Sequence, residues 1–190
     1  MKKGFTLIEL LVVIAILAIL ATVIVVIINP GELLKQARDT TRISDLAAMN
    51  SAIALYLSDV TTPKLMNASD CTAGYARCTG SGATNPFVAG GACTANAVTA
   101  VDGTGWVAVN LGSISSGSPL ARLPMDPTNS ATYFYAYGCG TGNALNYELD
   151  ATMESTKYKG GGGADVSSNT KDGGNSANAN IYEIGNSLVQ

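Results

Sequence analysis

The sequence predicts an α+β protein in which a long N-terminal helix packs on a small antiparallel sheet. Two observations support this fold class. An apolar run followed by an amphipathic stretch fills the chain before residue 59, and short β-forming segments follow residue 104. The remainder is rich in Gly, Ala, Ser, Thr and Asn, and about 130 to 160 residues beyond the apolar run are enough for one modest domain.

The apolar run reaches Ile28 and is long enough to cross a bilayer. Between Leu10 and Ile28 the single polar residue is Thr22. At 1.5 Å per residue this helix is about 28 Å long, close to the hydrocarbon thickness of a membrane. The run is longer than a signal-peptide core and no small-residue cleavage site follows it, so we expect it to be retained.

Basic residues around the run bear on its orientation. Lys2 and Lys3 precede it, so the positive-inside rule places the N-terminus in the cytoplasm and the rest of the chain outside. Lys35, Arg38 and Arg42 follow the run and weaken this prediction, although acidic residues are interleaved with them.

Glu9 is an acidic residue near the start of the apolar run, where a carboxylate costs free energy. It can reach back to the headgroups, or it can pair with a cation. Phe5 lies four residues earlier, on the same face of a helix. A cut between Gly4 and Phe5 would give Phe5 a free amine, which is cationic at neutral pH and could neutralise Glu9 within one helix or between helices.

The segment Gly4-Phe5-Thr6-Leu7-Ile8-Glu9, between a short basic leader and a long apolar helix, resembles the class III signal of type IV pilins and type II secretion pseudopilins. The resemblance implies that a membrane prepilin peptidase removes residues 1–4 after Gly4, usually with N-methylation of Phe5. It also implies that Glu9 guides docking of a subunit into a growing filament. Headgroup contact by Glu9 would explain neither the glycine nor the short leader.

The resemblance implies a pilin-like organisation: a leader at 1–4, a transmembrane helix at 5–28, an amphipathic stem helix at 29–58 and a globular head at 59–190. Asn29-Pro30-Gly31 is expected to break the helix at the membrane exit. Many family members instead carry a proline where this chain has Val26. The stem spacing predicts surface ion pairs of Lys35 with Asp39 and of Arg42 with Asp45. Its apolar stripe consists of Leu34, Ala37, Ile43, Leu46, Met49, Ile53 and Leu57.

Three strands are predicted in the head, at 105–109, 132–137 and 144–149. The second would place Tyr133, Tyr135 and Tyr137 on one face, either as a structural sheet face or as a stacking platform for carbohydrate or nucleic acid. The net charge of −3 and the few basic residues of the head give no reason to expect nucleic-acid binding.

All four cysteines lie beyond the apolar run, at Cys71, Cys78, Cys93 and Cys139. If this region is exported, the even count suggests two disulfides, and three pairings are possible. We expect Cys71 to pair with Cys78 and Cys93 with Cys139. Buried reduced thiols are the alternative, and they would require a cytosolic domain.

Enzymatic activity is not predicted. The chain has no histidine, which excludes Ser-His-Asp and Cys-His catalysis and histidine metal ligands. Asp126, Glu148 and Asp150 could form a carboxylate pair, but no spacing or pocket-forming motif supports one.

Two head segments resemble parts of the major pseudopilins. Leu123-Pro124-Met125-Asp126-Pro127, followed by Tyr133 and Tyr135, resembles a proline-flanked aspartate that leads into a tyrosine-rich strand. The tail between residues 163 and 184 resembles their glycine- and acid-rich loop, which binds calcium in those proteins. Asp165, Asp172 and Asn175 are the candidate ligands, and a plain flexible loop is the alternative. No other cofactor is expected.

The resemblance as a whole implies a structural subunit of a type IV pilus-like filament that serves adhesion, motility or DNA uptake. A major pseudopilin of type II secretion is the alternative, and a membrane-anchored enzyme or binding protein is a remote one. The implied partners are further copies of the chain, the prepilin peptidase, an inner-membrane assembly platform, and lipid before assembly. The implied location is the inner membrane, with one span, an exported head and a periplasmic or extracellular filament.

Overall fold

The computed structural model describes residues 4–66, 76–87, 93–140, 145–167 and 180–186. The α+β class is confirmed, because a long N-terminal helical region packs on a sheet. The elements in chain order are α1 (Leu7–Ile28), α2 (Pro30–Asp59), β1 (Ala76–Cys78), β2 (Thr94–Ala95), a 3-10 turn (Leu111–Ser113), β3 (Tyr135–Cys139), β4 (Tyr147–Thr152) and β5 (Ile181–Gly185).

The helix is interrupted at Asn29, within the predicted break. Asn29 adopts a left-handed backbone conformation with φ 44° and ψ 74°, which ends α1 and turns the chain. Its side chain then accepts a hydrogen bond from the backbone N–H of Glu32, and Pro30 occupies the first turn of α2. Asparagine tolerates the left-handed region and proline suits a first turn, so these two residues explain the break.

The sheet is mixed rather than antiparallel as predicted. Its strand order is β2-β1-β3-β4-β5, and β1 pairs with β2 in parallel while the three other pairs are antiparallel. The Cys78–Cys93 disulfide holds the start of β2 beside the end of β1, which places Thr94 opposite Arg77. A covalent bond between two short segments accounts for the parallel pair that the sequence pattern did not predict.

Two of the three predicted strands are confirmed, with shifted bounds. β3 and β4 overlap the predictions at 132–137 and 144–149 but lie two to three residues later. Residues 105–109 form no strand and are instead a buried loop, in which Trp106 donates its indole N–H to the Pro124 carbonyl at 2.9 Å. The side chains of this segment fill the core, so its β-forming residues are buried without pairing in a strand.

The main core lies between α2 and one face of the sheet. α2 contributes Leu46, Met49, Ile53 and Tyr56, and the sheet contributes Tyr135, Tyr137, Tyr147, Leu149 and Ala151. The predicted stripe of α2 is therefore correct from Ile43 onward, whereas Leu34 in the first turns is 63% exposed. The first turns of α2 must be held to the head by something other than apolar packing.

A second, smaller core covers the opposite face of β1 and β3. It contains Phe87 and Phe134 with small side chains around them. Gly138 is needed here, because a Cβ at this position would lie 3.0 Å from the Phe87 ring. The loop that carries Phe87 thus packs directly on the backbone of β3.

Candidate assembly site

The surface of α1 is apolar on every side. An 18-residue stretch has a mean hydropathy of 3.6 and none of it is buried, so by length and composition the helix can cross a membrane. Thr22 satisfies its hydroxyl locally by donating to the Ala18 carbonyl at 2.8 Å. A helix that is apolar all round is stable only when lipid or other helices cover it.

Glu9 folds back on the start of α1. Its Oε2 accepts hydrogen bonds from the backbone N–H of Thr6 at 2.9 Å and from the Thr6 hydroxyl at 2.8 Å. The Thr6 oxygen accepts in turn from the Glu9 N–H at 3.3 Å, which completes a capping box. Thr6-x-x-Glu9 is the sequence signature of this motif, so the cap could have been predicted from the spacing of these two residues, although it was not.

Gly4 and Phe5 precede the helix and are exposed. A Cβ on Gly4 would meet nothing within 4 Å, and Phe5 is 83% exposed. Phe5 lies outside the helix rather than on one of its faces, but it still lines a shallow apolar depression together with Glu9 and Val12. The structure therefore brings together Phe5 and Glu9, the two positions that the helical spacing paired.

A buried ion cluster around Arg42 was not predicted. Arg42 is fully buried and donates to Asp126 at 2.6 and 3.0 Å, to Asp39 at 2.8 Å and to Glu154 at 2.6 Å. Its guanidinium also lies 5.3 Å from the centre of the Tyr133 ring. One arginine thus joins α2 to two separate loops of the head.

The predicted pairs on α2 are wrong in consequence. Arg42 pairs with Asp39 rather than Asp45, and Asp45 instead accepts a hydrogen bond from the Tyr135 hydroxyl at 2.7 Å. Lys35 lies 4.0 Å from Glu32, not beside Asp39. The spacing rule assumes an exposed helix face, but this face is covered by the loops that carry Asp126 and Glu154.

The Arg42 cluster also orders the backbone of the loop after β4. Asp39 accepts hydrogen bonds from the N–H groups of Glu154 and Ser155 at 2.9 and 2.8 Å. Burial alone raises the pKa of Glu154, but hydrogen bonds from Arg38 and Arg42 outweigh it and lower the pKa to about 2. Burial likewise opposes the charged form of Arg42, and its carboxylate partners outweigh burial and raise the pKa. Glu154 and Arg42 therefore both carry their charge at neutral pH.

Both ends of α2 are fastened to the head in the same way. Near the first turn, Glu32 accepts hydrogen bonds from the backbone N–H and the hydroxyl of Thr156. At the last residue, Asp59 accepts from the backbone N–H and the hydroxyl of Ser115, both at 2.7 Å. These bonds lower the pKa of Glu32 and of Asp59. Together with the Arg42 cluster, they hold the whole length of α2 against the head.

The tyrosines of β3 belong to the core. Tyr135 and Tyr137 are fully buried, and the Tyr137 hydroxyl donates to the Leu65 carbonyl. Burial and the hydrogen bond to Asp45 raise the pKa of Tyr135. The structural interpretation of the tyrosine stripe is therefore correct, and these two rings are not available as a stacking platform.

Asp126 does not meet Glu148 or Asp150, the other two acidic residues considered for a carboxylate pair. Asp126 lies on the α2 side of the sheet, in contact with Arg42. Glu148 and Asp150 alternate along β4 with Leu149, which faces α2, so they lie on the opposite face. The sheet therefore separates Asp126 from the other two.

The disulfide pairing was predicted wrongly. Cys78 is bonded to Cys93, so neither the Cys71–Cys78 nor the Cys93–Cys139 bridge is formed. Cys139 is also disulfide-bonded, and Cys71 lies outside the described residues. The observed bridge instead joins the end of β1 at Cys78 to the residue before β2, its parallel neighbour in the sheet.

Of the three residues predicted to bind calcium, Asp165 is the one that the structure describes. Asp165 accepts hydrogen bonds from the N–H of Gly161 at 2.8 Å and from the N–H and hydroxyl of Ser167 at 2.9 and 2.7 Å. Asp172 and Asn175 lie outside the described residues. Calcium binding at these three positions stays a prediction.

The comparisons with known proteins agree with the N-terminal geometry. The prokaryotic N-terminal methylation motif matches residues 1–25. No curated protein and no solved structure matches the chain. The chain therefore carries the prepilin signal of type IV pilins and pseudopilins, which implies processing by a prepilin peptidase and indicates a structural protein that assembles into filaments.

Proposed function

We propose that the chain is a structural subunit of a type IV pilus-like filament rooted in the inner membrane. The single observation that carries the proposal is the methylation motif at residues 1–25, in which Glu9 stands beside Phe5 at the start of an exposed apolar helix. Adhesion, motility and DNA uptake are the functions that such a fibre serves. The filament would pack copies of α1 at its centre and carry the heads on its outside.

The site suggests two successive roles for Glu9. Before processing, its carboxylate caps α1 through Thr6 and so keeps its hydrogen bonds satisfied. Cleavage after Gly4 leaves Thr6 in place and creates a cationic amine on Phe5. In an assembled bundle this amine would pair with Glu9 of the same or a neighbouring subunit, and the cost of an unpaired charge among apolar helices would fix the axial register.

The proposed location follows from charge and disulfide chemistry. Arg38 and Arg42 are neutralised by Glu154, Asp39 and Asp126, so they count less against the orientation that Lys2 and Lys3 favour. The Cys78–Cys93 disulfide suits an oxidising compartment. Both support a cytoplasmic N-terminus and an exported head, with lipid around α1 until an inner-membrane assembly platform takes up the subunit.

A major pseudopilin of type II secretion is the second candidate. The segment around Asp126 that resembles those proteins supports it, because Asp126 is a principal partner of Arg42 in holding α2 to the head. Deleting the gene separates the two: loss of surface fibres supports a pilus, and retention of exported enzymes in the periplasm supports a secretion pseudopilus. A membrane-anchored enzyme or binding protein remains the remote alternative, and it predicts neither defect.

The assembly role is tested with two substitutions of Glu9. Glu9→Ala removes both the cap and the charge, whereas Glu9→Gln keeps an oxygen that can cap Thr6 and removes only the charge. We expect filament yield, measured by shearing and immunoblotting, to fall at least about tenfold for both while membrane levels stay unchanged, a loss that corresponds to about 1.4 kcal/mol.

The matched control is Thr22→Val, because the Thr22 hydroxyl bonds only within its own helix. This variant should assemble like the unaltered chain. Wild-type filament yield from Glu9→Gln would show that capping suffices and would contradict the charge-pair mechanism.

A further inference from the structure

Three lysines, of which Lys35 and Lys157 are exposed and Lys159 is half-buried, gather where the head meets the end of α1. Lys35 lies in the first turns of α2, and its side chain is 47% exposed. Lys157 and Lys159 lie in the loop after β4, which Glu32 fastens to the same turns of α2 through Thr156. Three lysines from two distant parts of the sequence therefore share one end of the head.

The other charges at this end already have partners. Arg38 and Arg42 are bonded to Glu154, and Arg42 also to Asp39. Glu32 accepts two hydrogen bonds from Thr156. The lysines have weaker attachments: Lys35 lies 4.0 Å from Glu32, and the Lys157 ammonium lies 4.9 Å from the Tyr158 ring. Their ammonium groups can therefore bind an external anion without breaking a buried ion pair.

Apolar side chains flank these lysines. Leu33 and Leu34 are 49% and 63% exposed in the first turn of α2, and Tyr158 is half-buried beside Lys157. Lysine, tyrosine and leucine together are typical of chain segments at the membrane–water interface, where apolar parts dip toward the hydrocarbon and ammonium groups reach the phosphates.

The distance to the membrane also fits. Lys35 is seven residues beyond Ile28, the end of the apolar helix, which corresponds to about 10 Å of helix. The polar layer of a bilayer is about 5 to 8 Å thick on each side of the hydrocarbon, and an extended lysine side chain spans the rest. Lys157 and Lys159 are held at the same level by the Glu32–Thr156 contact.

We infer that Leu33, Leu34, Lys35, Lys157, Tyr158 and Lys159 form a juxtamembrane face that binds the anionic headgroups of the outer leaflet. This inference rests on the proposed function, because it requires α1 to span the membrane with the head outside. The face holds the head down on the bilayer and sets its tilt while the subunit waits in the membrane. Entry into a filament would replace these lipid contacts. Lipid is favoured over a second copy because the face continues directly from the membrane span.

The test measures the accessibility of each lysine in vesicles. The full chain is reconstituted into vesicles of phosphatidylcholine, with or without phosphatidylglycerol, and treated with a membrane-impermeant amine-acylating reagent. Mass spectrometry then gives the acylation rate at each lysine. Lys64 is the internal control, because it is exposed at the far end of α2, about 45 Å from the first turn.

We expect acylation of Lys35, Lys157 and Lys159 to slow by about fivefold in anionic vesicles and not in neutral ones. Salt at about 1 M, where the Debye length is about 3 Å, should remove the protection. The rate at Lys64 should be the same throughout. Replacing Lys157 and Lys159 by Gln should also restore the acylation rate at Lys35, whereas Lys64→Gln should not.

Equal rates in the two kinds of vesicle would overturn the inference. Protection in neutral vesicles that grows with protein density would overturn it as well, since it would identify a second copy of the chain as the occupant. Alkaline carbonate extraction separates this result from failure of the proposed function. A chain that carbonate releases is not rooted in the membrane, which contradicts both, whereas a retained chain with unprotected lysines contradicts the juxtamembrane face alone.

Discussion

The two helices at the start of the chain have opposite relations to the rest of the molecule. Every described side chain of α1, which spans 22 residues, is exposed, although almost all are apolar. α2 spans 30 residues of nearly balanced polarity, and it buries one face completely between Asp39 and Tyr56. Asn29 separates them. α1 has no tertiary partner among the residues that the structure describes, whereas α2 is fastened to the head along its length.

The contrast shows that α2 has its stabilising contacts within the same chain. α2 is held by apolar packing at Leu46, Met49 and Ile53, where each buried side chain contributes roughly 1.5 to 3 kcal/mol. Closer to its first turn it is held by Arg42 and by the Glu32–Thr156 contact. α1 has no comparable contacts among the described residues, so its stability depends on lipid or on other copies. In the proposed filament, a rigid head on α2 would transmit the register that α1 sets.

Arg42→Met is expected to have the largest effect, because it should lower the free energy of unfolding of the head and leave α1 unchanged. The substitution leaves the carboxylates of Asp39, Asp126 and Glu154 buried with too little positive charge, which costs about 3 to 5 kcal/mol when one partner of a buried pair is removed. We expect denaturant unfolding in detergent, followed by Trp106 fluorescence, to show a loss of this size. The helical circular dichroism of α1 should persist.

Two companion variants test the cause of this loss. Lys35→Met removes an exposed cation from the same helix, and it should change the unfolding free energy by less than about 0.5 kcal/mol. Arg42→Lys keeps the charge but loses the planar fork that contacts two loops, and it should fall between the other two. Equal losses from Lys35→Met and Arg42→Met would contradict the special role of the buried cluster.

A smaller effect is expected from acid. The folded-state pKa of Glu154 is about 2, below the ordinary value of 4.5. The group is charged in the unfolded chain only above about pH 4.5, so its stabilisation is complete above that pH and is lost as pH falls toward 2. We expect the head, followed by Trp106 fluorescence, to lose stability in this pH range, while the helicity of α1 stays constant.

Glu154→Gln isolates this pH dependence. The variant should be less stable at pH 7 and should lose less stability between pH 4.5 and 2 than the unaltered chain. Asp45 contributes in the opposite direction, because burial raises its pKa and its proton is bound more tightly in the folded state. An unchanged acid slope in Glu154→Gln would show that other carboxylates dominate.

The parts of the fold that follow from local pattern could be predicted from the sequence. The length and apolarity of α1, the break at Asn29 and the stripe of α2 from Ile43 onward need only helix periodicity and the conformational limits of proline. The parallel β1–β2 pair could not be predicted, because a disulfide between distant residues creates it. The strand prediction at 105–109 was wrong because β-forming side chains also suit a buried loop.

The candidate site shows the same division. Gly4, Phe5 and Glu9 could be proposed from the sequence because they lie within one short motif, and the Thr6 cap could have been predicted from the capping-box spacing. The partners of Arg42 lie 84 and 112 residues away, so no local spacing could identify them. Charged residues on a helix are usually solvated, and only the tertiary fold shows that Arg42 is buried.

The proposed mechanism requires Glu9 to act in assembly together with an amine that exists only after cleavage at Gly4. The decisive measurement is the filament yield of Gly4→Leu, Glu9→Gln and the double variant. A Cβ at Gly4 would meet nothing within 4 Å, so we expect Gly4→Leu to impair processing without disturbing the fold. We predict that each single change lowers the yield strongly at unchanged membrane levels. The yield of the double variant should be no lower than that of the single variant with the lower yield. Wild-type yield from uncleaved Gly4→Leu chains, or losses that multiply in the double variant, would contradict the mechanism.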